Sequence, residues 1–116
     1  MNNLQIERTD SESGLVISCT GRLDANHDGH LQDYIQKLVR EGHYHIALDL
    51  SQVEYLSSAG IRTLVSQYKS LNAVNGMFYI SALSENVRLV LDMVGMEKML
   101  CQKPEIKVVV DAGTKT

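Results

Sequence analysis

Residues 47–68 read ALDLSQVEYLSSAGIRTLVSQY, and this stretch decides the fold. It begins within an apolar run, residues 46–50, that only Asp49 interrupts, as is typical of a buried strand. Residues 51–55 are predicted to form a polar connector. Beyond them, four apolar residues fall at helical spacing: Ile61, Leu64, Val65 and Tyr68. A helix is therefore predicted to start at about Ser58.

Ser58 stands at the predicted start of this helix. A serine there usually caps the helix, because its hydroxyl accepts a hydrogen bond from a free backbone N–H of the first turn. The same N–H groups and the positive end of the helix dipole would stabilise a phosphate on that hydroxyl. The neighbours Ser57, Ala59 and Gly60 are small, so a kinase active site could approach the backbone closely. Ser58 is thus both the predicted cap and a candidate phosphorylation site.

The rest of the chain alternates short strands with helices. Periodicity and turn residues predict strands at 4–8, 15–20, 45–50 and 77–81, a helix at 30–40 stopped by Gly42, the helix from Ser58 to near Asn75–Gly76, and a helix capped by Ser84 and terminated by Gly95. The first two strands should form a hairpin, with Gly21 ending the second and residues 22–29 forming a connector. This order predicts an α/β domain with helices packed on a mixed sheet.

The C-terminal fifth of the chain is less patterned. Residues 96–100 fit either a short helical turn or the start of a strand. Residues 106–110 are β-branched and favour a strand. Residues 111–116 are predicted to be a frayed end.

Length and composition favour one globular domain over residues 1–116. The net charge of −3, without a lysine or arginine cluster, argues against nucleic-acid binding. No apolar run approaches the roughly 20 residues that a membrane span needs. The first ten residues contain neither the basic region nor the apolar region of a signal peptide, so the expected location is cytoplasmic. Cys19 and Cys101 are predicted to be reduced, buried thiols.

Four methionines lie in the second half of the chain: Met77, Met93, Met96 and Met99. By position they are predicted to be mostly core. The group from Met93 to Met99 could alternatively form an adaptable surface for a partner.

Two motifs resemble the signature of the STAS domain family, the bacterial anti-sigma factor antagonists. The first is D-x-S-x-V followed by an S-x-G-L turn, matched by Asp49, Ser51, Val53, Ser58, Gly60 and Ile61. The second is G-x-L-D-A, which reads Gly21, Arg22, Leu23, Asp24 and Ala25. The resemblance implies a STAS (anti-sigma factor antagonist-like) fold, with a mixed four- to five-stranded sheet and a core over about residues 4–110.

The same resemblance implies a switch in a partner-switching pathway. The unphosphorylated form would bind an anti-sigma factor that is also a serine kinase of the histidine-kinase-like ATPase fold. That binding would free a sigma factor or another client. Phosphorylation at Ser58 would end the binding, and a PP2C-type phosphatase would restore it.

The resemblance also assigns the partner-binding surface, which comprises Asp24, Ser57, Ser58, Ala59, Gly60 and Arg62, with Lys69 further along the helix. Asp24 is expected beside Ser58, where it would orient the serine or the kinase. From the sequence alone, an exposed loop carboxylate is the better explanation of this residue. Ser57 stands where the best-known members carry aspartate, and it is the second choice of phosphate acceptor.

Other chemistries fit the sequence less well. A nucleophile elbow needs G-x-S-x-G, whereas the sequence around Ser58 is L-S-S-A-G, so no enzyme is predicted. Asp24, His27, Asp28 and His30 offer metal ligands, but no motif completes a coordination shell, so neither a metal nor a cofactor is predicted. The alternative to the switch is a constitutive STAS interaction module that phosphorylation does not control.

Overall fold

The computed structural model describes residues 4–12 and 14–101. In these ranges the elements are, in chain order, β1 (Gln5–Ser11), β2 (Gly14–Leu23), α1 (Asp28–Arg40), β3 (His45–Leu56), α2 (Ser58–Ala73), β4 (Met77–Leu83), α3 (Glu85–Met93) and α4 (Glu97–Cys101). The strands form one sheet in the order β1-β2-β3-β4. β1 and β2 pair antiparallel, whereas β2–β3 and β3–β4 pair parallel. The predicted hairpin, mixed sheet and α/β class are confirmed.

Strand β2 is longer than predicted. Gly21 does not end it: the strand continues to Leu23, and the ladder with β3 shifts register between Gly21 and Arg22. Gly21 has a φ of 116°, a conformation that glycine adopts without the steric cost of a side chain. The pairing passes from Gly21–Val53 to Arg22–Tyr55, so the extra residue of this irregularity is Glu54 on β3. Strand β2 continues through Gly21, and the connector begins at Asp24.

Strand β3 is also longer, and the predicted polar connector at 51–55 is wrong. The chain remains extended to Leu56 because Val53 and Leu56 are buried and continue to pair with β2. The Asp49 carboxylate accepts hydrogen bonds from the backbone N–H and the hydroxyl of Ser51, at 2.9 and 2.7 Å. The extra residues bring the end of β3 directly to the start of α2.

An aliphatic core lies between the sheet and the helices. Helix α1 contributes Leu31, Ile35 and Leu38 to it, and α3 contributes Val87 and Leu91. The predicted apolar stripes of both helices are thus confirmed, although α1 begins two residues early, at Asp28.

The predicted helix ends are largely confirmed. Ser84 caps α3, since its hydroxyl accepts a hydrogen bond from Val87 N at 3.3 Å. Gly95 follows that helix with a φ of 76°, and Asn75 follows α2 with a φ of 63°. Both lie in the left-handed region that commonly terminates helices. In the described part of the chain, no helix is long and apolar enough to cross a membrane.

The structure decides between the two alternatives predicted for residues 96–100. Residues 97–101 are helical, so the helical alternative for 96–100 is confirmed. The strand predicted at 106–110 and the frayed end at 111–116 lie outside the described residues.

Sulfur-containing side chains depart in part from the prediction. Met93 is 83% exposed, so its assignment to the core is wrong, whereas Met96 and Met99 pack against the core and Met77 is half-buried. Cys19 is buried, and that burial, with the nearby Asp49 charge, raises the pKa of its thiol to about 12. Cys101 is only half-buried, so the prediction of a buried thiol is wrong there.

Candidate functional site

The carboxyl ends of β2 and β3 lie side by side. Leu23 pairs with Leu56 in the parallel ladder, and Ser57 N donates a hydrogen bond of 3.0 Å to the Leu23 carbonyl. The residue after Leu23 is Asp24. The two motifs found in the sequence therefore meet at one edge of the sheet, which is where open α/β sheets commonly present their binding residues.

Ser57, and not Ser58, caps helix α2. Ser57 has extended backbone angles, φ −93° and ψ 172°, and its hydroxyl oxygen accepts a hydrogen bond from Gly60 N at 3.2 Å. The hydroxyl also donates to the Leu23 carbonyl at 3.4 Å. The predicted cap was displaced by one residue because β3 continues to Leu56, which makes Ser57 the last extended residue before the helix.

Ser58 is the first helical residue, and it is exposed. Within residues 4–12 and 14–101 its hydroxyl has no hydrogen-bond partner, in contrast to the engaged hydroxyl of Ser57. It stands at the positive end of the α2 dipole, and the first turn of α2 contains no acidic residue. A free hydroxyl at this position is accessible to a modifying enzyme.

Ala59 and Gly60 are buried and face the interior of the protein. A Cβ built on Gly60 would lie 2.6 Å from the Leu23 carbonyl oxygen and 2.8 Å from a Leu56 methyl group. The glycine is therefore required for the close approach of α2 to the end of β2. The small size of Gly60 thus serves internal packing, whereas it was predicted to give a kinase access to the backbone.

The Asp24 carboxylate is held by a local network. Its Oδ1 lies 2.7 Å from His27 Nδ1 and accepts a hydrogen bond from Asn26 N at 3.1 Å. Its Oδ2 accepts from Arg22 Nε at 3.4 Å. Partial burial opposes ionisation, but the hydrogen bonds from His27 and Arg22, with the one from the backbone N–H, outweigh it and lower the pKa of Asp24. The side chain is ionised, only 17% exposed and fixed in place.

Asp24 follows the strand end that is bonded to the serine turn, but its carboxylate bonds elsewhere. The backbone bond between Leu23 and Ser57 brings the two segments together, yet in the described residues no hydrogen bond joins the Asp24 carboxylate to either serine. Its partners belong to its own connector and to β2. The carboxylate thus orders the connector beside the turn and leaves the Ser58 hydroxyl free.

Sequence reasoning missed the contact between Arg22 and Tyr55. These residues are opposite each other in the β2–β3 ladder, and the Arg22 guanidinium carbon lies 4.3 Å from the centroid of the Tyr55 ring. This is a cation–π distance. Both side chains are partly exposed. The signal was hidden because the register of two strands that are distant in sequence decides which residues face each other.

Helices α1 and α2 are joined near the same edge. Thr63 Oγ1 donates to Asp28 Oδ2 at 3.4 Å, which links the first turn of α1 to the second turn of α2. Arg62 and Lys69 are exposed on α2. Arg62 is four residues after Ser58, so the two side chains share one face of the helix.

Other chemistries have little support at this edge. Among the described residues, no group of three or more His, Cys, Asp or Glu side chains could hold a metal ion. Of the candidate metal ligands named from the sequence, His27 and Asp24 are hydrogen-bonded to each other. The only partners of the Ser57 hydroxyl in these ranges are the backbone atoms Leu23 O and Gly60 N, and neither can act as a general base.

Comparison with known proteins identifies the family. The family model of the STAS domain matches residues 3–112. The chain is 26% identical over 98 residues to an anti-sigma-B factor antagonist of Staphylococcus epidermidis, covering 84% of this chain and 91% of the relative.

Two solved structures share the fold. An anti-sigma factor antagonist from Mycobacterium paratuberculosis has a TM-score of 0.79 at 23% identity and covers 96% of this chain and 94% of its own. The Bacillus cell fate determinant SpoIIAA in its phosphorylated form has a TM-score of 0.65 at 19% identity, and the match covers 94% of this chain and 98% of the SpoIIAA chain. With the family match over nearly the whole chain, the conclusion is direct: this protein belongs to the STAS domain family.

Proposed function

We propose that this protein is an anti-sigma factor antagonist that acts in a partner-switching pathway. In its unphosphorylated form it binds an anti-sigma factor, a serine kinase of the histidine-kinase-like ATPase fold, and frees a sigma factor or another client. Phosphorylation of Ser58 ends that binding, and a PP2C-type phosphatase reverses it. The protein acts by binding in the cytoplasm and catalyses no reaction. The observation that carries this proposal is the Ser58 hydroxyl at the start of α2, which is exposed and has no hydrogen-bond partner among the described residues.

Several features favour Ser58 over Ser57 as the phosphate acceptor. The Ser57 hydroxyl is half-buried, accepts from Gly60 N and donates to Leu23 O, so a phosphate there would remove the donated bond and would need space beside the helix cap. A phosphate on Ser58 would face solvent at the N-terminus of α2, where negative charge is favourable. Arg62 lies one turn further along the same face and could pair with it. A solved fold relative, SpoIIAA, is described in a phosphorylated form.

The switch requires only a local change of charge. Phosphorylation adds about −1.5 to −2 charges to the site. In the unmodified protein the first turn of α2 carries no acidic residue, so the change at this surface is large. A partner that docks on the unmodified turn would then be excluded by repulsion and by the bulk of the phosphate. No rearrangement of the fold is needed.

The proposed docking surface has three parts: the Asp24 connector, the Ser57–Ser58 turn and the exposed face of α2 with Arg62 and Lys69. The backbone bond between Ser57 and Leu23 holds the connector against the turn. Ala59 and Gly60 support the surface from beneath, since both are buried. A partner would therefore meet a preorganised surface, which lowers the entropic cost of binding.

Intact-mass measurement and peptide mapping test the proposal. The protein is incubated with ATP and, in turn, with each purified histidine-kinase-like anti-sigma factor encoded in the source genome. We expect one added phosphoryl group, located on Ser58, absent in Ser58→Ala and retained in Ser57→Ala. Binding to the same kinase should weaken once the group is added.

Two other outcomes would contradict the proposal, the first for the switch itself and the second for the residue that carries it. Tight binding without modification would indicate a constitutive interaction module of the STAS family. A phosphoryl group on Ser57 would mean that the capping hydroxyl is the acceptor and that the assignment of Ser58 is wrong.

A further inference from the structure

We propose that Arg22, stacked on the ring of Tyr55, is a specificity-determining contact of the docking surface and pairs with a carboxylate of the partner. The inference rests on the proposed function and deepens it, because it states the charge of the partner surface. Neither residue belongs to the serine turn. Both lie at the ends of the two strands that lead into the connector and the turn.

The geometry fixes Arg22 before any partner binds. Its guanidinium carbon is 4.3 Å from the Tyr55 ring centroid, and its Nε is 3.4 Å from Asp24 Oδ2. The Arg22 side chain nevertheless remains 35% exposed, and Tyr55 is 43% exposed. Arginine has five N–H donors in a planar fork, and only Nε is engaged by Asp24. In the described part of the chain no hydrogen bond engages the other donors, so they can form a bidentate bond to a carboxylate.

Residue type supports the same role. Arginine and tyrosine are enriched among the few residues that carry most of the energy of a protein interface. A stacked arginine also loses less side-chain freedom on binding, because its position is already set. Tyr55 is exposed, and its neighbour Leu56 is the residue that is buried in the core. Core packing therefore does not explain a large aromatic side chain at position 55.

Charges of both signs lie around the turn. Arg22 and Arg62 are partly or fully exposed, and the carboxylates near them are those of Asp24, Asp28 and Glu54. Asp24 and Asp28 are half-buried and hydrogen-bonded within the protein, whereas Glu54 is exposed on β3. The attraction that we propose is therefore local: it arises from the guanidinium N–H donors of Arg22 that Asp24 does not engage, and a carboxylate is the group that complements them.

Arg8 provides a matched control on β1. Arg8 Nε lies 3.1 Å from Asp10 Oδ1, so the pair has the same residue types and the same spacing in sequence as Arg22–Asp24. The Arg8 side chain is 37% exposed, close to the value for Arg22. In the described residues the one cation–π contact found is that of Arg22 with Tyr55, so Arg8 lacks the stack.

The test is calorimetric titration with the histidine-kinase-like anti-sigma factor that binds the wild-type protein. We expect Arg22→Gln and Tyr55→Ala each to weaken binding about tenfold or more, and Arg8→Gln to leave it unchanged. Added salt should weaken binding of the wild type more than that of Arg22→Gln. Thermal unfolding of each variant checks that the fold is retained.

A charge exchange makes the assignment specific. Arg22→Glu should bind poorly, and a Glu→Lys or Asp→Lys change at one acidic position of the partner should restore part of the lost affinity. Unchanged binding by Arg22→Gln, while modification of Ser58 still abolishes it, would overturn this inference and leave the proposed function intact. Absence of binding by the wild type to every such anti-sigma factor would instead overturn the proposed function, and this inference with it.

Discussion

Helices α2 and α3 begin in the same way and differ at their first residue. Each follows an extended serine, Ser57 or Ser84, whose hydroxyl accepts a hydrogen bond from the third residue of its helix and donates one to a strand carbonyl. In α3 the first helical residue is Glu85, which pairs with Arg88 through a bond of 2.7 Å. In α2 it is Ser58, exposed and without an acidic residue in its first turn.

The two helices differ in whether their first turn carries a negative charge. The Arg88 hydrogen bond and charge lower the pKa of Glu85, so α3 has a permanent negative charge at its positive end. Helix α2 has the same dipole and no such charge. A phosphate on Ser58 would supply it. The two helix starts therefore share the same capping hydrogen bonds and differ in whether an acidic residue occupies the first turn.

The largest effect is expected from removing the close approach of α2 to β2. Gly60→Ala would place a methyl group 2.6 Å from the Leu23 carbonyl oxygen, so the helix start must shift. We expect a loss of about 1–3 kcal/mol in unfolding free energy, measured by urea denaturation. Gly29→Ala is the control: a Cβ there meets no atom within 4 Å, and this helical glycine should be replaced without loss. Equal losses for the two would contradict the packing described.

The two caps should be equivalent and distinct from Ser58. Ser57→Ala and Ser84→Ala are each expected to cost about 1 kcal/mol of unfolding free energy, because each removes the acceptor for a first-turn N–H. Ser58→Ala should change the unfolding free energy by less than about 0.5 kcal/mol, because the hydroxyl that it removes is exposed and has no hydrogen-bond partner among the described residues. Chemical denaturation of the three variants gives the comparison. A cost for Ser58→Ala as large as that for Ser57→Ala would show that the cap is assigned to the wrong serine.

A negative charge at the first residue of α2 should make it resemble α3. Ser58→Asp is expected to raise the unfolding free energy by about 0.3–1 kcal/mol at low salt, with the gain falling as salt is added. Glu85→Gln should have the opposite sign, because it removes both the charge and the pair with Arg88. Thermal denaturation at two salt concentrations measures both. Destabilisation by Ser58→Asp would mean that the turn cannot accommodate a charge.

The smallest effect concerns the Asp24 connector and pH. The pKa of Asp24 is lowered from its ordinary value of 3.8, so its ionised form stabilises the folded state. That contribution is fully present above pH 3.8 and is lost as the pH falls through the folded pKa. Stability of the wild type should therefore fall more steeply below pH 3.8 than that of Asp24→Asn. Parallel pH profiles for the two proteins would exclude this role for the carboxylate.

How far the sequence predicts the structure depends on whether local pattern or strand register decides each feature. Ser84 was correctly predicted as a cap because the apolar spacing of α3 locates the helix start, although β4 runs to Leu83, two residues beyond its predicted end. Ser57 was not, since Val53 and Leu56 are three residues apart and their spacing conceals that β3 continues. The Arg22–Tyr55 stack requires knowledge of which residues pair across β2 and β3, and that information is not local.

The meeting of the two motifs could be predicted, whereas the hydrogen bonds made by their side chains could not. The two motifs meet at one edge of the sheet, as their family resemblance implies. The Asp24 carboxylate, however, bonds to Arg22, Asn26 and His27 and leaves Ser58 free. Spacing alone could have suggested the bond to Asn26, because an aspartate often accepts from the backbone N–H two residues ahead. The role of Gly60 in packing could be recognised only from the distance to Leu23.

The central claim is that the unmodified start of α2 binds an anti-sigma factor and that phosphorylation of Ser58 prevents it. The most direct test compares, by calorimetry, the affinity of one such kinase for the unmodified protein and for protein phosphorylated at Ser58, with Arg8→Gln as the background control. We predict that the unmodified protein and Arg8→Gln bind, and that phosphorylation of Ser58 weakens binding by about a hundredfold or more. Equal affinity of the modified and unmodified proteins would contradict the account.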